Sequence, residues 1–323
     1  MSAVLQDVGE KPRQTYIGGS DIAGILGVSP WATRVSVWQR KVDLPEDSPP
    51  PPAKKKLFNR GKLWEQVVGE MLVAKLTDQG HKVTVLSANH RYIDPDVPYF
   101  AAEIDYEIKL DDIPDIVNVE LKTVHPNATR EWGEEDTDEC PLQYAAQAAW
   151  GLGITRRNCC IVAPLFGADE IRAYPIVRDD VTIQGMRDQA RDFWELYVLP
   201  KKAPEPINLA DVDRLFKRDA ERQVFADPEL VERLLRYRAI EAEIDARTLE
   251  RDVLEFQVKR FMGDATALHL PGQEKPAATW KLRANAHLDQ AAFKAEYPKL
   301  HKQYMRAGQS RVFEVRKTFK PEA

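Results

Sequence analysis

Two acids and a lysine in the first half of the chain are the residues best suited to chemistry. Asp105 closes the apolar stretch Tyr99-Phe100-Ala101-Ala102-Glu103-Ile104-Asp105, and Val119-Glu120-Leu121-Lys122-Thr123 follows it. Both segments read as strands. Glu120 and Lys122 are two apart, so on a strand they share a face. A carboxylate beside an ammonium suits phosphodiester hydrolysis. Asp105 and Glu120 can hold Mg²⁺, with Mn²⁺ as a substitute, and Lys122 can orient or activate the attacking water. Surface hairpins also carry Asp…Glu-x-Lys by chance, so the neighbours decide the reading.

Four further features bear on it. Glu65, in Gly61-Lys62-Leu63-Trp64-Glu65, lies on a helix before the sheet and could complete a metal shell. For an isolated Glu the commoner reading is a surface helix residue paired with a neighbouring Lys. Tyr144 and Gln147 are three apart on a helix after the Glu-x-Lys strand and share a face. Gln147 could fix water or backbone phosphate there, or simply pack. Arg13 and Ser20 bracket the entry to the first helix, where Ser20 is expected as N-cap, and a helix N-terminus with a hydroxyl and an Arg suits a phosphate. Lys54, Lys55, Lys56, Arg60 and Lys62 form a basic stretch beside Glu65. Such runs usually make a solvated face. In an otherwise acidic chain, this one suits DNA-backbone steering.

The elements that must position these residues follow from periodicity. Helices are expected over 20–27, around Val35 and Trp38, over 57–76 with Leu63, Val67, Met71 and Val73 inward, over 141–152 and over 181–197. Strands are expected near 82–87, 98–110, 116–123, 158–164 and 170–177. One mixed α/β (α+β) sheet flanked by helices is the simplest architecture. A polar N-terminal segment precedes it, and Pro49–Pro52 form a short polyproline linker. The Pro-rich stretch 199–206 divides a domain at 1–200 from an extension at 201–323. The extension carries one long amphipathic helix over 228–262, or two with a break, strands at 265–270, 277–282 and 311–315, and short helices at 290–296 and 298–305.

Composition narrows the class. The 323 residues are 43% hydrophobic and 30% charged, as in a soluble globular protein, and no run nears the ~18 apolar residues of a membrane span. Residues 1–7 show no basic-then-apolar pattern, so no secretory signal is expected. Cys140, Cys159 and Cys160 lack CxxC spacing, which implies free thiols in a reducing cytoplasm and rules out a four-cysteine iron–sulfur cluster within one chain. The net charge of −5 is unlike that of a protein that coats nucleic acid indiscriminately, so DNA contact must be local.

Taken together, Ile17-Gly18-Gly19-Ser20-Asp21-Ile22-Ala23-Gly24-Ile25-Leu26-Gly27-Val28-Ser29-Pro30-Trp31, Gly61…Glu65, Asp105, Glu120-Leu121-Lys122-Thr123 and Pro141-Leu142-Gln143-Tyr144-Ala145-Ala146-Gln147 resemble the YqaJ-type viral recombinases. These are phage exonucleases related to lambda exonuclease, within the PD-(D/E)XK superfamily. The motifs stand in the family's order over roughly residues 13 to 200, and the tail resembles members with a C-terminal extension. The resemblance implies a restriction-endonuclease-like core and a Mg²⁺-dependent 5′→3′ exonuclease on linear double-stranded DNA. It would release mononucleotides and leave 3′ tails for a single-strand annealing protein. It further implies a trimeric ring, a phage or prophage origin and work in the host cytoplasm. Asp105, Glu120 and the Leu121 carbonyl would bind the metal, with Glu65 supporting a second ion or its water. Lys122 would assist water, Gln147 and Tyr144 would order the site, and Arg13 and Ser20 would hold the 5′-phosphate. Many relatives read Ser-Pro-Asp-Gly where this chain has Glu103-Ile104-Asp105-Tyr106, so an acid replaces a serine that could contact phosphate. Another PD-(D/E)XK endonuclease, or a non-catalytic DNA-binding scaffold, is the competing reading.

Overall fold

The computed structural model describes residues 12–42, 52–306 and 311–316, apart from the side chains of 52–62. The polar segment 1–11 and prolines 49–51 lie outside the described residues, and Pro52 opens a helix instead. Helix α1 (Gly19–Leu26) and α2 (Arg34–Lys41) lead into α3 (Pro52–Asp78). Strands β1 (Val83–Ile93), β2 (Ala101–Leu110) and β3 (Val117–Val124) follow, then α4 (Leu142–Thr155), β4 (Cys159–Phe166), β5 (Glu170–Ile171) and β6 (Tyr174–Val177). α5 (Asp180–Phe193), capped by Asp179, runs into a π turn at Trp194–Val198. The sheet order is β1-β2-β3-β4-β5, with β6 also on β4. β3 and β4 are parallel and joined across α4, and the other pairs are antiparallel.

Each face of this mixed sheet buries a separate core. On one face α3 places Val68, Leu72 and Leu76 against Val117, Val119, Leu121, Ile161, Ala163 and Leu165. The buried stripe runs at i, i+4 from Trp64, so the expected inward set is only partly right. Met71 packs at the edge of the core, whereas Leu63 and Val67 face outward. The sequence offers apolar residues on both sides of α3, and close approach selects one: a Cβ on Gly69 would lie 2.5 Å from the Tyr106 ring. On the other face, α1, α4 and α5 bury Ile22, Ile25, Trp150, Ile154, Met186 and Phe193.

Two compact units divide at Phe216/Lys217. Residues 201–216 go with the first unit because α6 (Leu209–Leu215) is tied to α2: buried Asp211 accepts from the Thr33 hydroxyl at 2.6 Å. The second unit contains α7 (Pro228–Met262), a two-residue pairing of β7 (Ala267–Leu268) with β8 (Ala278–Thr279), α8 (Gln290–Glu296) and α9 (Pro298–Tyr304). The strands expected at 265–270 and 277–282 thus shorten to a single bridge region, and residues 311–316 form no strand. Leu270 and Leu282, at the outer ends of these segments, are exposed, so little apolar burial rewards a longer ladder. No helix among the described residues is long and apolar enough to cross a membrane. The three cysteines are free.

Candidate active site

The site lies where β2 parts from β3. Their ladder pairs Ile108 with Val117, Glu107 with Asn118 and Tyr106 with Val119, and ends there. The next same-face pair would be Asp105 and Glu120. In place of a ladder bond, the Asp105 carboxylate accepts from the Leu121 backbone N–H at 2.8 Å. β1 is irregular at the same level. Asn89, with φ 53°, falls between the pairs Ala88↔Tyr106 and His90↔Ile104, opposite Asp105. Asn is among the few residues that adopt this left-handed conformation readily. β2 changes phase here too: Phe100, Ala102 and Ile104 join the α1/α4/α5 core, whereas Tyr106, Ile108 and Leu110 join the α3 core. Strict alternation would put all six on one face. Asp105 stands at the break.

On β3, Glu120 is only 5% exposed and shares its face with Lys122. The Lys122 ammonium contacts Glu120 Oε1, and Gln147 Nε2 donates to the same oxygen at 2.5 Å. Lys122 Nζ lies 5.5 Å from the centre of the Tyr144 ring, which stacks on Trp132. Gln147 therefore grips the carboxylate, a role sequence reasoning had given to water or phosphate. α1 must approach closely to leave Gln147 there, since a Cβ on Gly19 would sit 3.0 Å from its Cγ.

The electrostatics are those of a crowded anionic site. Burial, then the neighbouring Asp105 charge, pushes the Glu120 carboxyl up to about 8 against the pull of Lys122. Burial likewise raises Asp105, outweighing Lys122 and the Leu121 N–H. For Lys122, burial favours the neutral amine, but Glu120 and Asp105 prevail and hold the ammonium charged. Two desolvated carboxylates sharing one cation leave a deficit of positive charge that a divalent ion would meet. Asp105, Glu120 and the Leu121 carbonyl are hard oxygen donors of the kind Mg²⁺ prefers.

Glu65 lines the same cleft of about 440 Å³ with Ser20, Trp31, Leu121, Lys122, Tyr144 and Gln147. Its charge is felt at Glu120 and Tyr106. It does not join Asp105 and Glu120 in a tight ligand group. Among the described residues the group that does close within 4.8 Å is His81, Asp111 and Asp112 at the outer end of the β1–β2 hairpin. Arg13 and Ser20 meet, the Arg13 guanidinium donating to Ser20 Oγ. Ser20 is not the N-cap: Gly18 is, with its N–H bonded to the Asp21 carboxylate at 3.1 Å, and exposed Ser20 sits in the first turn. Buried Asp21 takes the Lys41 ammonium at 2.6 Å and Arg40 at 3.2 Å, with Arg13 at 3.7 Å. Burial alone would raise its carboxyl, but these cations hold it below the usual range. Lys54, Lys55, Lys56, Arg60 and Lys62 lie on α3, but their side chains are outside the described residues.

Several residues at the site escaped the sequence. Trp31 is 71% exposed at the cleft, 6.3 Å from the Tyr144 ring, and Ser29, Thr123 and Gln143 line the same wall. An exposed Trp beside a Ser-Pro turn was the available signal. Glu103 is paired across the β1–β2 ladder with Arg91 at 2.7 Å, which neutralises the acid that stands in the serine's place.

The fold is thus a mixed α/β sheet flanked by helices, and the site gathers two acids and a lysine where β2 and β3 part. Residues 10–158 match the model of the YqaJ-like viral recombinase domain. The uncharacterized protein YqaJ of Bacillus subtilis (strain 168) is 26% identical over 311 residues, covering 94% of this chain and 92% of that one. Among solved structures, the alkaline exonuclease LHK-Exo from Laribacter hongkongensis matches with TM-score 0.41 at 16% identity, over 59% of this chain and 93% of that chain. A complex of LHK-Exo with dAMP gives 0.42 at 15%, over 63% and 94%, and a SOX–DNA complex 0.35 at 10%, over 58% and 66%.

Proposed function

We propose that this protein is a Mg²⁺-dependent 5′→3′ exonuclease acting on the ends of linear double-stranded DNA. It releases mononucleotides and leaves 3′ single-stranded tails that a single-strand annealing protein then coats, in phage-type recombination in a host cytoplasm. The observation that carries this reading is the pair of half-buried Asp105 and buried Glu120 with Lys122, placed where the strands part. Mg²⁺, with Mn²⁺ able to substitute, would be held by Asp105, Glu120 and the Leu121 carbonyl and would supply Lewis-acid stabilisation of the charge on phosphorus. Lys122 would orient or activate the attacking water. Gln147 fixes the Glu120 carboxylate, Tyr144 backs the ammonium, and Glu65 supports outer water. Arg13 and Ser20, beside the first turn of α1, form the anchor for a 5′-phosphate. A homotrimeric ring suits an acidic chain on DNA, since only its channel need be basic.

The deciding assay uses end-labelled linear duplex with 5′-phosphate or 5′-hydroxyl ends beside closed circular duplex, in Mg²⁺. Mononucleotide release from the 5′ strand of phosphorylated linear DNA, with circles intact, is expected. Cutting of circles makes the protein an endonuclease instead, and no Mg²⁺-dependent release from any substrate makes it a non-catalytic DNA-binding protein.

A further inference from the structure

One side-chain repeat below the splay, a buried polar bridge ties β1, β2 and β3 together. It is centred on Arg157, just past the left-handed C-cap Arg156 (φ 59°) of α4. The Arg157 guanidinium meets Glu107 Oε1 of β2 at 2.5 Å, and donates to Asn118 Oδ1 of β3 at 2.6 Å and to the Tyr92 hydroxyl of β1 at 3.1 Å. Tyr92 donates to Glu107 at 2.5 Å, and the Ser87 hydroxyl donates to the other Glu107 oxygen. Asn118 Nδ2 donates to Thr155 Oγ1 of α4 at 3.1 Å. Glu107 is 4% and Asn118 1% exposed.

Position gives this bridge its meaning. Glu107 and Asn118 are cross-strand partners, next to the last pair before the ladder ends. Two residues further along each strand, about 7 Å by strand rise, come Asp105, at the break in β2, and Glu120. A guanidinium is a rigid planar fork whose donors fix the spacing of the groups they join. Stability does not require an ion pair here, because well-packed apolar residues would serve as well. What the fork adds is a side-chain tie between the strands one pair before the backbone ladder ends.

We propose that Arg157 is a positioning residue that sets the opening between Asp105 and Glu120, and with it the selectivity of the site for Mg²⁺. The inference rests on the metal-dependent reading given above. Mg²⁺ demands near-ideal octahedral geometry, whereas Ca²⁺ accepts longer and looser coordination. Loosening the bridge therefore weakens Mg²⁺ more than Ca²⁺.

Two variants test this. Glu107→Gln/Arg157→Met removes both charges together and leaves none buried alone. Asn118→Ala cuts the β3 half and keeps the Arg157–Glu107 pair. Calorimetric titration with Mg²⁺ and with Ca²⁺, thermal melting, and the Mg²⁺ concentration for half-maximal nuclease rate are measured beside wild type. The expected result is Mg²⁺ affinity weakened about ten-fold or more, with a matching rise in the half-maximal Mg²⁺ and a clearly smaller change for Ca²⁺. Unchanged Mg²⁺ affinity in a folded variant, or equal weakening of both ions, overturns the proposal. If the double variant does not fold, Asn118→Ala decides alone. Wild type that neither binds Mg²⁺ nor cleaves DNA overturns the functional reading and this inference together, whereas active wild type with unaffected variants overturns this inference only.

Discussion

Glu107 and Asp105 are carboxylates two residues apart on one strand, and they live in opposite electrostatic worlds. Burial works against the charged form of both. At Glu107, hydrogen bonds from Ser87, Tyr92 and Arg157 and the Arg157 charge win, and the carboxyl sits below its ordinary range. At Asp105 and Glu120 one lysine and one backbone N–H do not suffice, and both are pushed up. Where the strands are paired, the sequence supplies enough donors to complete an anion. Where they part, it withholds them. The difference shows how a single sheet can hold a fully hydrogen-bonded acid and an under-compensated pair of acids side by side.

The harshest way to break the contrast is to remove the reactive acid. Glu120→Gln or Asp105→Asn should lower the Mg²⁺-supported cleavage rate on the order of a thousand-fold, since metal stabilisation of the transition state is a term of several kcal/mol. The same change should stabilise the metal-free protein, because it removes a buried repulsion. The sign follows from linkage. Glu120 titrates near 4.5 when unfolded and at about 8 when folded. Its contribution is therefore complete below about 4.5 and is lost as pH rises toward 8. Glu107, depressed in the fold, has the reverse sign and loses its contribution as pH falls below about 4.5. Urea unfolding in EDTA across that span should show wild-type stability declining from pH 4.5 to 8 and Glu120→Gln nearly flat. A wild-type profile that rises over this window would mean the pair is not strained.

The anchor end of the cleft should respond less. Arg13→Ala removes a charge-assisted contact of about 1.5–3 kcal/mol, so the preference for 5′-phosphate over 5′-hydroxyl ends should fall about ten- to a hundred-fold. Turnover on DNA already engaged should fall far less. Initial rates on the two end chemistries check this, and an undiminished preference would remove Arg13 from the anchor. The smallest effect tests the break in β1. Asn89→Val forces a β-branched residue into the left-handed region and should cost about 1–2 kcal/mol, whereas Asn89→Gly should be close to neutral. Equal melting temperatures for the two would mean the irregularity opposite Asp105 is relaxed.

Much of this was legible in the residues. The helices and most strands of the first unit, the Asp105/Glu120/Lys122 set and the shared face of Tyr144 and Gln147 follow from period and spacing, although β1 runs on to Ile93 and the strand expected at 170–177 is two, β5 and β6. The face of α3 did not, because Leu63, Val67 and Met71 mimic an inward stripe and only contact with Tyr106 at Gly69 settles the rotation. Ser20 resembles a cap but yields to Gly18 and Asp21, whose partner Lys41 is distant in sequence. The Arg157 bridge joins residues from β1, β2, β3 and the turn after α4, and no local pattern announces such a meeting. In the second unit α7 was plain from its apolar spacing, whereas of the expected strands only Ala267–Leu268 and Ala278–Thr279 pair.

The change of phase in β2 at Asp105 has a consequence for how the chain can vary. The strand is two modules with separate tenants. Phe100 to Ile104 answers to α1, α4 and α5, and Tyr106 to Leu110 answers to α3. Each half can be redesigned against its own neighbours without retuning the other. A one-residue insertion or deletion between Ile104 and Tyr106 would erase the joint itself, turning one half inside out. Length at this point is more tightly constrained than the identity of most residues around it.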